Sequence, residues 1–216
     1  MSNNFDTIGL FPVPLLKIKF KDHYKYNFSE TEKKDEKPSG WWSSVHTTFP
    51  SIPDNDPIVP SMVRDTLKRD LKDVVLDVFK ELNLPTNINF LQLWYNIYHD
   101  NQGQEAHNHL PFVGSPAPLW SGIYYNKNAS PTKIFNINDM VDTQKFKGWE
   151  ESQIAPCLAA ACLFPVEDGD IILFPPYLEH SVQSEPQHKD KMRMTFSFNI
   201  KLEGQTSHNV YSDKLY

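Results

Sequence analysis

A chain of 216 residues can bury one sizeable core but is short for two, so a single domain over 1–216 is expected. A formal charge of −6, with no Lys/Arg block, lacks the basic footprint of a non-specific nucleic-acid binder. The longest apolar runs fall well short of the ~18 residues that cross a bilayer. No basic start followed by an apolar stretch marks a signal peptide, so a cytoplasmic protein with no membrane partner is expected.

After a polar start, Leu16-Lys17-Ile18-Lys19-Phe20 alternates with period two, and the nearby Pro12 and Pro14 place this strand at an edge. Residues 29–40 mix charges without an apolar anchor and read as a solvated loop. Trp41-Trp42 should then bring the chain back to the core. Ser61 can cap a helix in which Leu67, Leu71, Val74, Val75, Val78 and Leu82 recur at three- and four-residue spacing, until Asn83-Leu84-Pro85 ends it. One apolar stripe suits a helix lying on a sheet.

From Phe90 to Tyr98 the period changes to two. Leu91, Leu93, Tyr95 and Ile97 form an apolar face, whereas Gln92, Trp94, Asn96 and Tyr98 can line a polar cavity. Leu119–Asn126 predicts another strand, with Tyr124 and Tyr125 facing opposite ways. Residues 127–156 lose periodicity and read as an insertion. Short strands are expected at Leu158–Pro165 and at Ile171–Phe174, the latter entered by the turn Glu167-Asp168-Gly169-Asp170. In the last strand Met192, Met194, Phe196, Phe198 and Ile200 share one face, and Arg193, Thr195, Ser197 and Asn199 the other. Cys157 and Cys162 are five residues apart, an odd separation that on a strand turns them to opposite faces, so they read as packed thiols. Phe112, Trp120 and Trp149 read as core aromatics, and His23, His46, His99, His188 and His208 as surface or hydrogen-bonded histidines.

The predicted fold is α+β, mostly β: a double-stranded β-helix (jelly roll, cupin-like) with a supporting N-terminal helix. Residues 1–85 supply the first strand, a loop and the helix, 86–202 the jelly-roll core with the 127–156 insertion, and 203–216 a tail. In such a fold, a loop after one strand and the start of a distant strand can hold a metal together. His107 and His109, two apart, leave an extended backbone on the same side, and His180 can supply a third ligand while open positions remain for reactants.

The run Trp94-Tyr95-Asn96-Ile97-Tyr98, Gly103, His107-Asn108-His109, Trp120-Ser121-Gly122-Ile123-Tyr124-Tyr125, Gly169-Asp170-Ile171-Ile172-Leu173-Phe174-Pro175, His180 and Arg193-Met194-Thr195-Phe196-Ser197-Phe198-Asn199 resembles the Fe(II)/2-oxoglutarate-dependent oxygenase superfamily. Within it the similarity is to oxygenases of marine phages and bacteria, distantly related to prolyl hydroxylases. The resemblance implies Fe(II) and 2-oxoglutarate as cofactors, O₂ as co-reactant, and His107 and His180 as iron ligands. It further implies that Arg193 pairs with the distal carboxylate of 2-oxoglutarate, aided by Thr195 or Ser197, with Tyr98 and Asn96 beside the cosubstrate. The implied activity is a hydroxylase that couples decarboxylation of 2-oxoglutarate to oxidation of a small-molecule, peptide or nucleotide substrate. One position departs from the family pattern: His109 stands where an Asp or Glu is usual. His109 is the favoured third ligand, with Glu105, Glu179, water or chloride as alternatives. A non-catalytic metal-binding jelly roll and a three-histidine cupin-type dioxygenase stay open as other functions.

Overall fold

The two periodicities of the sequence become one long helix and two antiparallel sheets. The computed structural model describes residues 13–29, 37–110, 118–137, 161–184 and 191–204. The start of the chain, the charged loop at 30–36, Phe112 in 111–117, Trp149 and Cys157 in 138–160, His188, and the tail with His208 lie outside the described residues.

Helix α1 (Ser61–Glu81) buries Leu67, Leu71, Val75 and Phe79, a stripe spaced four residues apart. Two details differ from expectation. Pro60, not Ser61, occupies the N-cap, and no side chain caps the helix; the extended φ/ψ of a residue there and a helical first position suit this order. Phe79 completes the buried stripe, while Leu82, past the last turn, is 49% exposed.

The first sheet has the order β1-β8-β5-β10-β3-β2, from β1 (Leu16–Lys19), β2 (His46–Thr47), β3 (Ile88–Tyr98), β5 (Trp120–Lys127), β8 (Asp170–Phe174) and β10 (Arg193–Leu202). The second has the order β4-β9-β6-β7, from β4 (Gln104–His107), β6 (Lys133–Phe135), β7 (Ala161–Leu163) and β9 (His180–Val182). Together they form the jelly roll, with α1 against the outer face of the larger sheet. Strand β1 is an edge, as the nearby prolines predict, and Lys17 and Lys19 each reach Asp170 of β8 at 3.1 Å.

The central strand β10 pairs with β3 on one side and β5 on the other. Its apolar face, Met194, Phe196, Phe198 and Ile200, joins the main core with the α1 stripe, Leu93, Tyr95 and Ile97. Gly122 of β5 lies over Phe198: a Cβ there would come within 2.3 Å of that ring, so no larger residue fits. A smaller core of Ile123, Tyr125, Ile134, Ile172, Phe174 and Leu178 fills the space between the sheets, so Tyr124 and Tyr125 do face opposite ways.

A bulge corrects the predicted faces of β3. Asn199 pairs with Gln92 but Ile200 pairs with Phe90, which leaves Leu91 as the extra residue. Below it Phe90 joins the core, and both Leu91 and Gln92 line a cavity. Trp41-Trp42 divides: Trp41 packs against a small core of Val45, Tyr98 and Val182 and also lines that cavity, whereas Trp42 is 92% exposed and does not return to the core. Among the described residues, no helix is long and apolar enough to cross a membrane.

Candidate metal centre

Strands β4 and β9 pair antiparallel with His107 directly opposite His180, which sets their ring centroids 4.3 Å apart. The backbones approach closely beside this pair; a Cβ on Gly103 would lie 2.5 Å from the Val182 carbonyl oxygen. His109 follows β4, and its backbone N–H donates to the Pro176 carbonyl at 2.8 Å. That tether brings its ring centroid to 5.5 Å from His107 and 4.9 Å from His180. One ring nitrogen from each of the three lies within 4.8 Å of the others.

Hydrogen bonds decide which nitrogen that is. The Nδ1 of His107 lies 2.9 Å from the Glu105 carbonyl oxygen, and the Nδ1 of His180 lies 3.0 Å from that of Leu178. A carbonyl can only accept, so both Nδ1 atoms carry the proton. His109 Nδ1 sits 2.8 Å from Ser121 Oγ and 3.0 Å from Asn199 Oδ1. Because Asn199 donates its amide to Gln92 Oε1 at 2.7 Å and accepts the Ser121 hydroxyl at 2.8 Å, its Oδ1 accepts from His109 as well. All three rings therefore present a bare Nε2 lone pair, and a donated Nδ1–H is the usual outer support of a metal-bound imidazole.

Burial keeps these rings neutral. It lowers the pKa of His107, against an opposing pull from the Glu105 carbonyl. Burial, and then the neighbouring His107, push His109 down to about 4. For His180 burial again leads, followed by the other two histidines, and holds the ring well below the usual histidine range. A cluster of neutral imidazoles is a donor set that accepts Fe(II), Ni(II), Cu(II) or Zn(II). Of the alternative third ligands, Glu105 accepts the backbone N–H groups of Trp42 and Ser43, each at 3.0 Å, and Glu179 is exposed.

A narrow pocket runs inward from the triad. Tyr98, Asn96, His107, His109, His180, Arg193, Thr195 and Ser197 all line it, so the eight residues expected as ligands or cosubstrate contacts border one pocket, and the alternative ligands Glu105 and Glu179 do not. Its free space is about 10 Å³. Arg193 is buried, donates to the Ser130 carbonyl at 2.7 Å and lies over the Tyr98 ring at 5.2 Å. Asn96 donates to Ser197 at 3.1 Å and accepts from Thr47 at 2.7 Å, while Tyr98 donates to Gln104 at 2.9 Å. Burial raises the Tyr98 pKa, which keeps the phenol a donor. Outward from His107 and His109 opens a second cavity of about 730 Å³, bordered by Trp41, Phe49, Leu91, Trp94, Leu110 and Pro118. Thr132 and Gln104 carry no signal in the sequence, and the supports Ser121, Asn199 and Gln92 stand there without the role of holding His109. Gln92 and Asn199 are placed by the polar faces of their strands, and Ser121 by the run that carries the family resemblance.

A family model described as "Putative 2OG-Fe(II) oxygenase" matches residues 92–199, half of the 216. The chain belongs to this family. Its cofactors are Fe(II) and 2-oxoglutarate, and the histidine triad of this oxygenase is a set that Fe(II) accepts. No curated protein matches the chain in sequence. Among solved structures, HygX of Streptomyces hygroscopicus, solved with nickel and 2-oxoglutarate, shares 11% identity over 90% of this chain and 85% of its own, with a TM-score of 0.53. A 2OG-Fe(II) oxygenase family oxidoreductase of Burkholderia pseudomallei shares 8% over 88% and 73%, with a TM-score of 0.50. A prolyl-4-hydroxylase of Pseudomonas putida shares 10% over 78% and 77%, with a TM-score of 0.47. At such identities the first two bear on the fold, which is the same jelly roll.

Proposed function

We propose that this oxygenase is a hydroxylase that uses His107, His109 and His180 to hold Fe(II), and Arg193 to anchor 2-oxoglutarate. The observation that carries the reading is the convergence of one ring nitrogen from each of three histidines within 4.8 Å, with every Nδ1 beside an oxygen that can accept its proton. Bound Fe(II) with 2-oxoglutarate supplies the oxidising chemistry: R–H, 2-oxoglutarate and O₂ give R–OH, succinate and CO₂.

The protein's own residues do the holding. The Arg193 guanidinium is aimed by the Ser130 carbonyl and the Tyr98 face, and its planar fork suits a carboxylate. Thr195 and Ser197 follow on the same face of β10 and offer hydroxyl donors; Asn96 and Tyr98 supply an amide and a phenol from the adjacent strand. The inter-sheet core of Ile123, Tyr125, Phe174 and Leu178 keeps water from the inner side of the triad. The outer cavity at His107 and His109 leaves an approach for the substrate.

One observation favours a second reading, a three-histidine dioxygenase or a metal-binding module that does not use 2-oxoglutarate. A free space of about 10 Å³ holds about one water, so 2-oxoglutarate enters only if the lining side chains move. Anaerobic titration with Fe(II) and 2-oxoglutarate separates the readings. The first requires a visible charge-transfer band and then succinate release in air, both lost in Arg193→Ala. A fully metal-loaded protein that yields neither signal belongs to the second.

A further inference from the structure

We propose that the outer cavity selects a neutral or cationic substrate with a flat apolar ring, and turns away anionic substrates such as nucleotides and sugar phosphates. This inference rests on the reading of His107 and His109 as metal ligands, because it takes the cavity beside them as the substrate site.

One wall is aromatic. The Phe49 and Trp94 rings meet edge to face at 5.1 Å, and Trp41 continues the wall at 5.9 Å from Phe49 and 6.1 Å from His107. The wall is open to a ligand as well as continuous: Phe49 is 39% and Leu110, on the opposite border, 48% exposed. Exposed apolar side chains gathered around a cavity of about 730 Å³, within the size range of small-molecule sites, mark a place where an apolar face is covered by ligand. Indole faces are negative at their centres and attract a cation or the positive edge of another ring, and offer nothing to an anion.

Charge points the same way. Glu105 is the single ionisable lining residue other than the two histidines, and no lysine or arginine borders the cavity among the described residues. The Glu105 carboxylate is fixed by the Trp42 and Ser43 N–H groups, so it stays at the wall next to Trp41 and keeps lone pairs for a further donor. Lys37 donates to the Ser43 carbonyl but is not part of the lining. Away from the metal-binding histidines, a phosphate or carboxylate on the substrate would thus meet a like charge and, among the described residues, no cationic side chain. A ring bearing an amine or hydroxyl would meet aromatic faces and an acceptor.

The test uses three probes of one shape: 1-naphthylmethylamine, 1-naphthylmethanol and 1-naphthoate, titrated calorimetrically into the full-length protein first without metal, where no ion can take the carboxylate, and then with Ni(II) and 2-oxoglutarate. The amine and alcohol are expected to bind, and the naphthoate at least about tenfold more weakly than the amine, as a like-charge contact at this range predicts. Trp41→Ala should weaken the amine and alcohol together, whereas Glu105→Gln should narrow the gap between amine and naphthoate. Phe49→Leu repeats the aromatic test if Trp41→Ala fails to fold. Naphthoate binding as well as the amine, no binding by any probe, or affinities indifferent to both aromatic replacements would each overturn the inference. Titration of 2-oxoglutarate into the same samples reports separately on the oxygenase reading, so the two can fail independently.

Discussion

Asn199→Leu tests the support of His109 most sharply. The replacement conserves side-chain size but removes the oxygen that accepts both the Ser121 hydroxyl and the His109 Nδ1–H, and the amide that donates to Gln92. Ser121 is 0% exposed, so water cannot take over at its hydroxyl. Each buried group left without a partner costs about 1–3 kcal/mol. Gln92 is half-buried and can rehydrate, and the imidazole N–H can turn to Ser121 Oγ at 2.8 Å, which leaves the serine hydroxyl without an acceptor and a loss of about 1–3 kcal/mol. For a chain of this size that is a fall in Tm of about 2–12 °C. A stability loss alone would be expected of any buried amide. The decisive readout is Ni(II) affinity by calorimetry, where loss of a ligand's outer hydrogen bond predicts a decrease of about 10–100-fold. Asn199→Asp keeps an acceptor for both donors and should restore the affinity that leucine loses. Wild-type Ni(II) affinity in Asn199→Leu, or aspartate no better than leucine, would refute the account of how His109 is held.

Arg193→Lys should raise the 2-oxoglutarate KM by more than about tenfold while leaving Ni(II) affinity in place, because an ammonium lacks the two-pronged fork; equal KM values would remove Arg193 from its proposed role. Gly122→Ala should lower stability by about 1–3 kcal/mol, since its methyl meets the Phe198 ring, and thermal unfolding reads this directly. The metal-free protein should lose stability as pH falls below the ordinary histidine value of 6.5. Unfolded histidines bind protons there, while the pKa values of folded His107, His109 and His180 are lowered, to about 4 for His109, so the loss continues toward that pH. Unfolding curves of the triple His→Gln variant between pH 7 and 4 should show a shallower dependence. Saturating Ni(II) at about 100 times its Kd should add about 2.7 kcal/mol, measurable as a rise in Tm that disappears in His180→Ala.

Much of the site was legible because its residues lie on strands with clean alternation. The β10 pattern of Met192 to Ile200 sorted core from cavity without error, and it carried Arg193, Thr195 and Ser197 to the correct face. Where alternation breaks, legibility fails. The bulge at Leu91 shifts the phase of β3 by one residue, and no single-strand pattern reveals it, since a bulge is a property of the pairing with β10. Trp41-Trp42 was half legible for a related reason: Trp41 packs on Val45, Tyr98 and Val182 as a core aromatic, but its second role as a cavity wall comes from the neighbouring Phe49 and Trp94, and Trp42 is exposed. The polar partners of His109 come from Ser121 and Asn199, 12 and 90 residues away, a distance no local reading spans.

The three histidines differ in who holds them. His107 and His180 donate to carbonyls two residues back in their own segments, so the smaller sheet orients both rings by itself. His109 is oriented by side chains of the larger sheet. The triad is therefore a gauge of how the sheets are docked. A slip of one sheet against the other would carry His109 away from a pair that stays intact. A partly loosened state that keeps both sheets but not their mutual packing should still show the β signature in circular dichroism while it has already released its metal.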